Sequence, residues 1–331
     1  MRHGKPGRQR GVALITVLLI VAIVTLVSAA LIARQQLAIR STGNQLQARQ
    51  AWHYALGGEA LAQGLLQRDL RTPGSDPRAP VDHLREPWAR PLPAYPIEQG
   101  EIAVRIEDLA GRFNLNSLVQ NAQANPLAVE RFRRLLQRLG IEQPYAERLL
   151  DWLDPDAQTS GALGAEDNAY LLLQPAYRSA NQALADVSEL RLLLGMSEAD
   201  FRRLQPHVSA LPANVGLNVN TASALLLSCL ADTLSVEQAQ SLVAARGEAG
   251  YRTLGAFLEQ PALAGMAVQD AGLSVGSQYF QVLSEVRLGE RRQVLASGLE
   301  RDAQGQVRVL WRNLGQSGWS SPAGVDRKKD E

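Results

Sequence analysis

The residues best suited to chemistry in this chain are carboxylates. Asp151, Asp154 and Asp156 fall in one short run, Asp151-Trp152-Leu153-Asp154-Pro155-Asp156, and Glu166, Asp167 and Asn168 follow a turn holding Gly161 and Gly164. Hard oxygen donors on a backbone that glycine lets bend suit calcium, which accepts about six to eight oxygens in flexible geometry. The run is not an EF-hand, because the sixth position counted from Asp154 is Thr159 rather than glycine and the twelfth is Ala165 rather than glutamate. Spacing alone favours a plainer reading, solvated charges on a loop. Zinc is a poor match, with no cysteine or histidine close by. A paired-carboxylate hydrolase would need a sugar-binding aromatic set, and only Trp152 and Tyr170 are near.

Other chemistries have thinner support. The histidines His3, His53, His83 and His207 have no plausible serine or cysteine nucleophile beside them in sequence, so catalysis is not expected. The single cysteine, Cys229, sits in Ala224-Leu225-Leu226-Leu227-Ser228-Cys229-Leu230, an apolar helical run with nothing to favour a thiolate, and belongs in a core. Nucleic acid is the alternative target. Val219-Asn220-Thr221-Ala222-Ser223-Ala224, Gln238-Ala239, Ala245-Arg246-Gly247 and Tyr251-Arg252 resemble the helix-hairpin-helix module of DNA-uptake proteins. That module grips phosphates through backbone N–H groups in a Gly-x-Gly turn. Here the turn reads Leu230-Ala231-Asp232-Thr233-Leu234-Ser235, and within 217–260 Arg246 and Arg252 face Asp232, Glu237, Glu248 and Glu259. The sign is wrong for phosphate. A membrane-anchored DNA-binding or DNA-uptake protein is therefore the runner-up, and no nucleic acid is the expectation.

The elements that position these residues begin with the one long apolar run, 12–33, which carries no charge. As a helix it reaches roughly 33 Å, enough to cross the hydrocarbon core of a bilayer. The segment ahead of it, 1–11, holds Arg2, Lys5, Arg8 and Arg10 and no acid. That asymmetry keeps the amino end in the cytoplasm and sends the rest across the membrane. A secretory signal peptide would have a shorter apolar region, about 7–15 residues, ending in a small-residue site such as Val27-Ser28-Ala29. A plain signal anchor is the other bland reading.

Residues 34–70 keep helical composition, but Gly43, Gly57, Gly58 and Gly64 require outside support, so a half-buried spine is expected. Residues 71–112 hold a proline-rich stretch and then a strand alternating Ile102, Val104 and Ile106 with Ala103, Arg105 and Glu107. Its partners lie far along the chain, at 278–287, 293–300 and 307–312, within 276–314. The expected sheet is antiparallel, one face on the spine and one wet. Between its strands, 113–275 is a helical insertion with a weak repeat. Phe113-Asn114-Leu115-Asn116-Ser117 matches Leu217-Asn218-Val219-Asn220-Thr221, and Gly140-Ile141-Glu142-Gln143 matches Ser235-Val236-Glu237-Gln238. Residues 315–331 read as a loose tail. The fold class is α+β. A net charge of +1 gives no global field to recruit nucleic acid or acidic lipid.

A basic leader ending in Gly11, directly ahead of the apolar run, resembles a type IV prepilin. The resemblance implies cleavage between Gly11 and Val12 by a prepilin peptidase, methylation of the new amino terminus, and retention of 12–33 as a filament stem. Its fifth mature residue is normally glutamate; here it is Thr16, whose hydroxyl can bond back to its own helix. An acid in lipid makes sense only with a partner, so Thr16 suits a subunit with nothing ahead of it. The Gly11 leader, Thr16, the inserted domain, the Asp151 to Asp156 run, Tyr177-Arg178-Ser179-Ala180-Asn181 and Leu217-Asn218-Val219-Asn220-Thr221-Ala222 together resemble the K family of minor pseudopilins in type II secretion systems. That resemblance implies a pilin-like spine helix on an antiparallel sheet with a large inserted all-helical domain. It also implies a place in the inner membrane with the bulk periplasmic, then at the tip of the pseudopilus. Its partners would be the I and J minor pseudopilins, with H or the major pseudopilin below, and exported proteins as further candidates. The implied cofactor is calcium, with Asp154, Asp156 and Glu166 as leading ligands and Asp151, Asp167 and Asn168 behind them.

Overall fold

An uncharged run as long as 12–33 has no side to offer to water, and the computed structural model, which describes residues 10–71 and 80–315, leaves it bare. It lies in α1 (Arg10–Leu70). In the unit that ends at Tyr54, side chains 12–47 are exposed and the mean hydropathy of the most apolar window is 3.0. By length and composition this helix can cross a membrane. Thr16 donates its hydroxyl to the Val12 carbonyl at 2.7 Å, so its one polar group is satisfied inside the helix. The basic residues Arg2, Lys5 and Arg8, with His3, and the tail 316–331 lie outside the described residues. So do Pro73 and Pro77 of the proline-rich stretch.

The second unit begins at Ala55. After α1 come β1 (Tyr95–Ile97), β2 (Gly100–Asp108), β3 (Phe113–Asn114), β4 (Val119–Gln120), β5 (Gln123–Ala124), α2 (Pro126–Arg138), α3 (Tyr145–Leu153), α4 (Asp167–Tyr170) and α5 (Glu198–Leu204). The chain continues through β6 (Val208–Ser209), β7 (Leu217–Asn218), α6 (Ala224–Ser228), α7 (Val236–Ala245), α8 (Leu254–Leu258) and β8 (Leu273–Ser274). It closes with β9 (Tyr279–Leu288), β10 (Arg291–Arg301) and β11 (Val307–Leu314).

Alternation makes the sheet. Its order is β1-β2-β9-β10-β11, antiparallel throughout, and β2 meets β9 through Ile102↔Val286, Val104↔Ser284 and Ile106↔Val282. The inner face, with Phe280, Leu295 and Leu299, is buried, as are Ala55, Ala62 and Leu66 of α1. Helix and sheet approach closely because Gly58 has no side chain: a Cβ there would lie 2.6 Å from Ser284 Oγ and 2.9 Å from Val104 Cγ2. Glu59 of the helix is buried inside this interface. It takes two bonds from Arg312, at 2.7 and 2.8 Å, and one from Ser297 at 2.6 Å. Burial works to raise its pKa, but those bonds and the Arg312 charge outweigh it and hold the carboxyl below its usual range. The outer face is wet and paired, with Glu285 between Arg287 and Arg292 and Glu107 beside Arg112.

The insertion holds two matching units. In the first, Asn116 donates to the carbonyls of Leu184 and Leu211 and accepts from Leu184 N–H. In the second, Asn220 donates to the carbonyls of Tyr251 and Val275 and accepts from Tyr251 N–H. Each asparagine thus ties the start of its unit to two later loops of the same unit, the second just past the returning strand. The returns are parallel pairings, β3 with β6 and β7 with β8, so the region is helical with small two-stranded closures.

The insertion meets the sheet at a buried polar joint. Asp108, at the end of β2, accepts from Ala110 N–H at 2.8 Å, Thr221 Oγ1 at 2.5 Å, Ser277 Oγ at 2.6 Å and Asn218 Nδ2 at 3.1 Å. Arg301 binds Asp69 at 2.9 Å and Asp82 at 2.5 Å, and Asp82 also takes Ser277 N–H. Nearby, Glu86 accepts from Trp88 Nε1 at 2.6 Å. Burial, ahead of acidic neighbours, pushes Asp108 up to about 6 and Glu86 up to about 8. Both hold protons in the folded chain that the unfolded chain has released, so stability falls as pH rises from about 4 toward 8. At fixed calcium, the melting temperature should be lower at pH 8 than at pH 5.5. Glu86→Gln should remove roughly 2 kcal/mol of that dependence; a variant curve parallel to the parent across this range would refute the assignment.

Candidate cation site

Four acids gather where α3 stops. Asp151 lies in its last turn, Asp154 caps it, and no basic residue sits in that turn to answer the negative end of the helix dipole. The chain then loops out and returns at Glu166, the residue capping α4. Carboxylate oxygens of Asp154, Asp156 and Glu166 come within 4.8 Å of one another. Asp151 is fully buried; its Oδ1 accepts Ser160 N–H at 2.7 Å while Oδ2 has no donor. Gly164 makes the approach feasible, since a Cβ there would run into the Asp151 carboxylate and come within 2.9 Å of Ser160 N.

Five buried oxygens here lack any hydrogen-bond partner: Asp151 Oδ2, Asp154 Oδ1, both carboxylate oxygens of Glu166, and Asn181 Oδ1. Asn181 stands in the left-handed region at φ 46° and donates Nδ2 to the Asp156 carbonyl at 2.7 Å. Below lies an aromatic floor in which Trp152 meets Tyr170 edge-on at 5.2 Å, with Tyr177 at 5.5 Å from Tyr170. Burial, then the charges of Asp156 and Asp151, push Asp154 up to about 6; burial, then Asp151 and Asp154, push Glu166 up to about 7. Buried acceptors without donors, and acids that raise one another's pKa, make a setting that a cation or protons would relieve. Oxygen is the only donor type present, which is the chemistry of a hard cation rather than zinc.

The structure thus brings Asp151, Asp154, Asp156 and Glu166 together. Asp167 does not join them: Oδ1 accepts Ser179 N–H at 2.9 Å and Oδ2 pairs with Arg178 at 3.3 Å. Asn168 is exposed on α4. Asn181 takes the place expected of an amide, and Gly11 and Val12 lie in the first turn of α1.

The turn between α6 and α7, the runner-up site, is exposed at Asp232 and Thr233 but held by α2. Arg134 of α2 pairs with Asp232 and donates to the Cys229 carbonyl at 3.3 Å, and Arg138 donates to the Leu234 carbonyl at 2.9 Å. Arginines from the first repeat thus occupy the surface that would face phosphate in a DNA-binding hairpin. Cys229 is buried, as expected.

Comparisons with known proteins agree with this architecture. Two parts of one family description, "Type II secretion system (T2SS), protein K", match residues 111–213 and 217–276, the two repeats. The chain is 53% identical to type II secretion system protein K of Pseudomonas aeruginosa, covering 100% of both chains. It is 38% identical to that of Klebsiella pneumoniae, covering 90% of this chain and 94% of the relative. Among solved structures it is similar to a chain of the GspK-GspI-GspJ complex from the type 2 secretion system of enterotoxigenic Escherichia coli. The TM-score is 0.74 at 33% identity, over 83% of this chain and 99% of that one.

Proposed function

We propose that this chain, which belongs to the type II secretion system protein K family, is the minor pseudopilin that leads the pseudopilus, assembling with the I and J minor pseudopilins. The observation that supports this best is the likeness of its fold to the chain solved in complex with those two partners. The role is structural, one of assembly rather than catalysis. Prepilin peptidase cuts between Gly11 and Val12 at the cytoplasmic face of the inner membrane, the new amino terminus is methylated, and α1 is kept as stem. Thr16, content with its own helix, needs no subunit ahead of it. The inserted domain then crowns the periplasmic tip and nucleates assembly for export across the outer membrane, with H or the major pseudopilin following below.

Calcium is the cofactor that suits the acid site. Asp151, Asp154, Asp156, Glu166 and Asn181 would hold it, and its charge would satisfy oxygens that otherwise have no donor. Its part is to fix the loop between α3 and α4, not to react.

The partner assignment is tested by co-expressing the full chain with I and J pseudopilins and purifying it from detergent-solubilised inner membrane. A stoichiometric ternary complex is expected. Recovery of the chain alone, with I and J abundant in the same membranes, would count against the tip role.

A further inference from the structure

Arg131 is buried at 6% exposure in α2 with no acid to neutralise it. Nη1 donates to the Ala271 carbonyl and Nη2 to the Gln269 carbonyl, each at 2.8 Å, while Nε has no acceptor. Two of its five N–H groups are therefore used. The charge that bears on it most is another cation, Arg134, which together with burial pushes Arg131 down to about 10. A buried cation in that condition is unstable by several kcal/mol relative to a paired one.

Against it lies a cleft of about 180 Å³ at the seam of the two repeats, lined also by Asn114, Asn125, Leu127, Asn214 and Gly272. No acid lines it among the described residues. The amino end of α2 opens there. Asn125 caps Ala128 N–H at 3.3 Å and Pro126 has no N–H, so of the first turn's amides Leu127 is the one that Asn125 does not cap, at the positive end of the helix. Gly272, at φ +73°, keeps the guanidinium edge clear: a Cβ there would lie 3.3 Å from Nη1.

We propose that this cleft binds a carboxylate, held between Arg131 and the amino end of α2. A planar pair of oxygens matches the guanidinium fork, and amide side chains around the rim tolerate polar neighbours without adding charge. The source is either a free small carboxylate or the carboxyl terminus of a peptide segment.

The test uses the full chain in detergent at fixed calcium, with thermal shift and calorimetry. The probes are sodium acetate, an alanine tripeptide with a free carboxyl terminus, the same tripeptide amidated, and inorganic phosphate. Saturable binding of acetate or the free-acid tripeptide is expected, at least tenfold tighter than the amide or phosphate. A free-acid tripeptide that binds tenfold tighter than acetate identifies a chain terminus; acetate as tight as the tripeptide identifies a small free anion. Asn125→Asp keeps a good helix cap while placing a fixed carboxylate in the cleft, so it should leave melting without ligand unchanged or higher and weaken carboxylate binding at least tenfold. Arg131→Gln should abolish binding, and Asn125→Asp decides the matter if that variant does not fold. No saturable response to either carboxylate, phosphate binding tighter than acetate, or unaltered affinity in Asn125→Asp would overturn the proposal.

Discussion

Withdrawing calcium from the folded chain should lower its melting temperature by about 6–16 °C. A ligand bound to the native state alone stabilises it by about 3–4 kcal/mol at 100 to 1,000 times its dissociation constant. For a body of this size each kcal/mol moves the midpoint by roughly 2–4 °C. The variants carry the argument further than chelation alone. Without metal, Asp151, Asp154 and Glu166 repel one another in a half-dry site, so Glu166→Gln should melt higher than the parent in chelator. In calcium the order should reverse, because a neutral amide is a weaker ligand. Asn181→Ala, which removes an oxygen but no charge, should blunt the calcium response without that gain. Identical melting curves with calcium and with chelator would remove the calcium assignment and leave the acids as a strained loop.

On the proposed processing, Gly11→Leu should leave the precursor uncut and abolish secretion. The peptidase must bring its catalytic acids to the 11–12 peptide bond at the membrane surface, and a branched side chain at the residue before the cut blocks that approach. A retained leader would keep Arg2, Lys5, Arg8 and Arg10 on the stem, and on the proposed orientation drawing them through hydrocarbon would cost several kcal/mol. Stem extraction therefore stops. N-terminal sequencing of the variant from membranes should start at Met1, while the parent starts at Val12. A variant that begins at Val12 contradicts the processing assignment, and a parent that begins beyond residue 28 has lost its stem and sinks the pilin reading altogether.

Much of this body can be read from spacing. The uncharged stem, the alternation of Ile102, Val104 and Ile106, and the late strands each report their own surroundings, because a period of two or a long apolar run is a local record of burial. Repetition of the asparagine pairs exposes the two units, since the same backbone clamp needs the same amide twice. Elsewhere the deciding contacts are distant. Gln281 belongs to the outer face by alternation, yet only 1% of it is exposed: opposite it stands Gly298, and the ring of Trp311 lies across that glycine. Asp167 looks interchangeable with Glu166, but α4 turns it toward Arg178 and Ser179. Asn181 carries no charge and sits 25 residues past Asp156, so nothing local marks it. Its one faint signal is a residue type that tolerates a left-handed backbone where the chain must bend back.

The pairing of β2 with β9 fixes a timetable as well as a shape. Residues 109–278 intervene between those neighbours, so a chain synthesised from its amino end presents β2 long before its mate exists. Until then Ile102, Val104 and Ile106 face water along an open strand edge, the kind of surface on which chains stick to one another. The insertion, whose two asparagine clamps close within it, can condense meanwhile. Its completion brings the two severed halves of the sheet side by side, so the crown would mature before the neck that carries it.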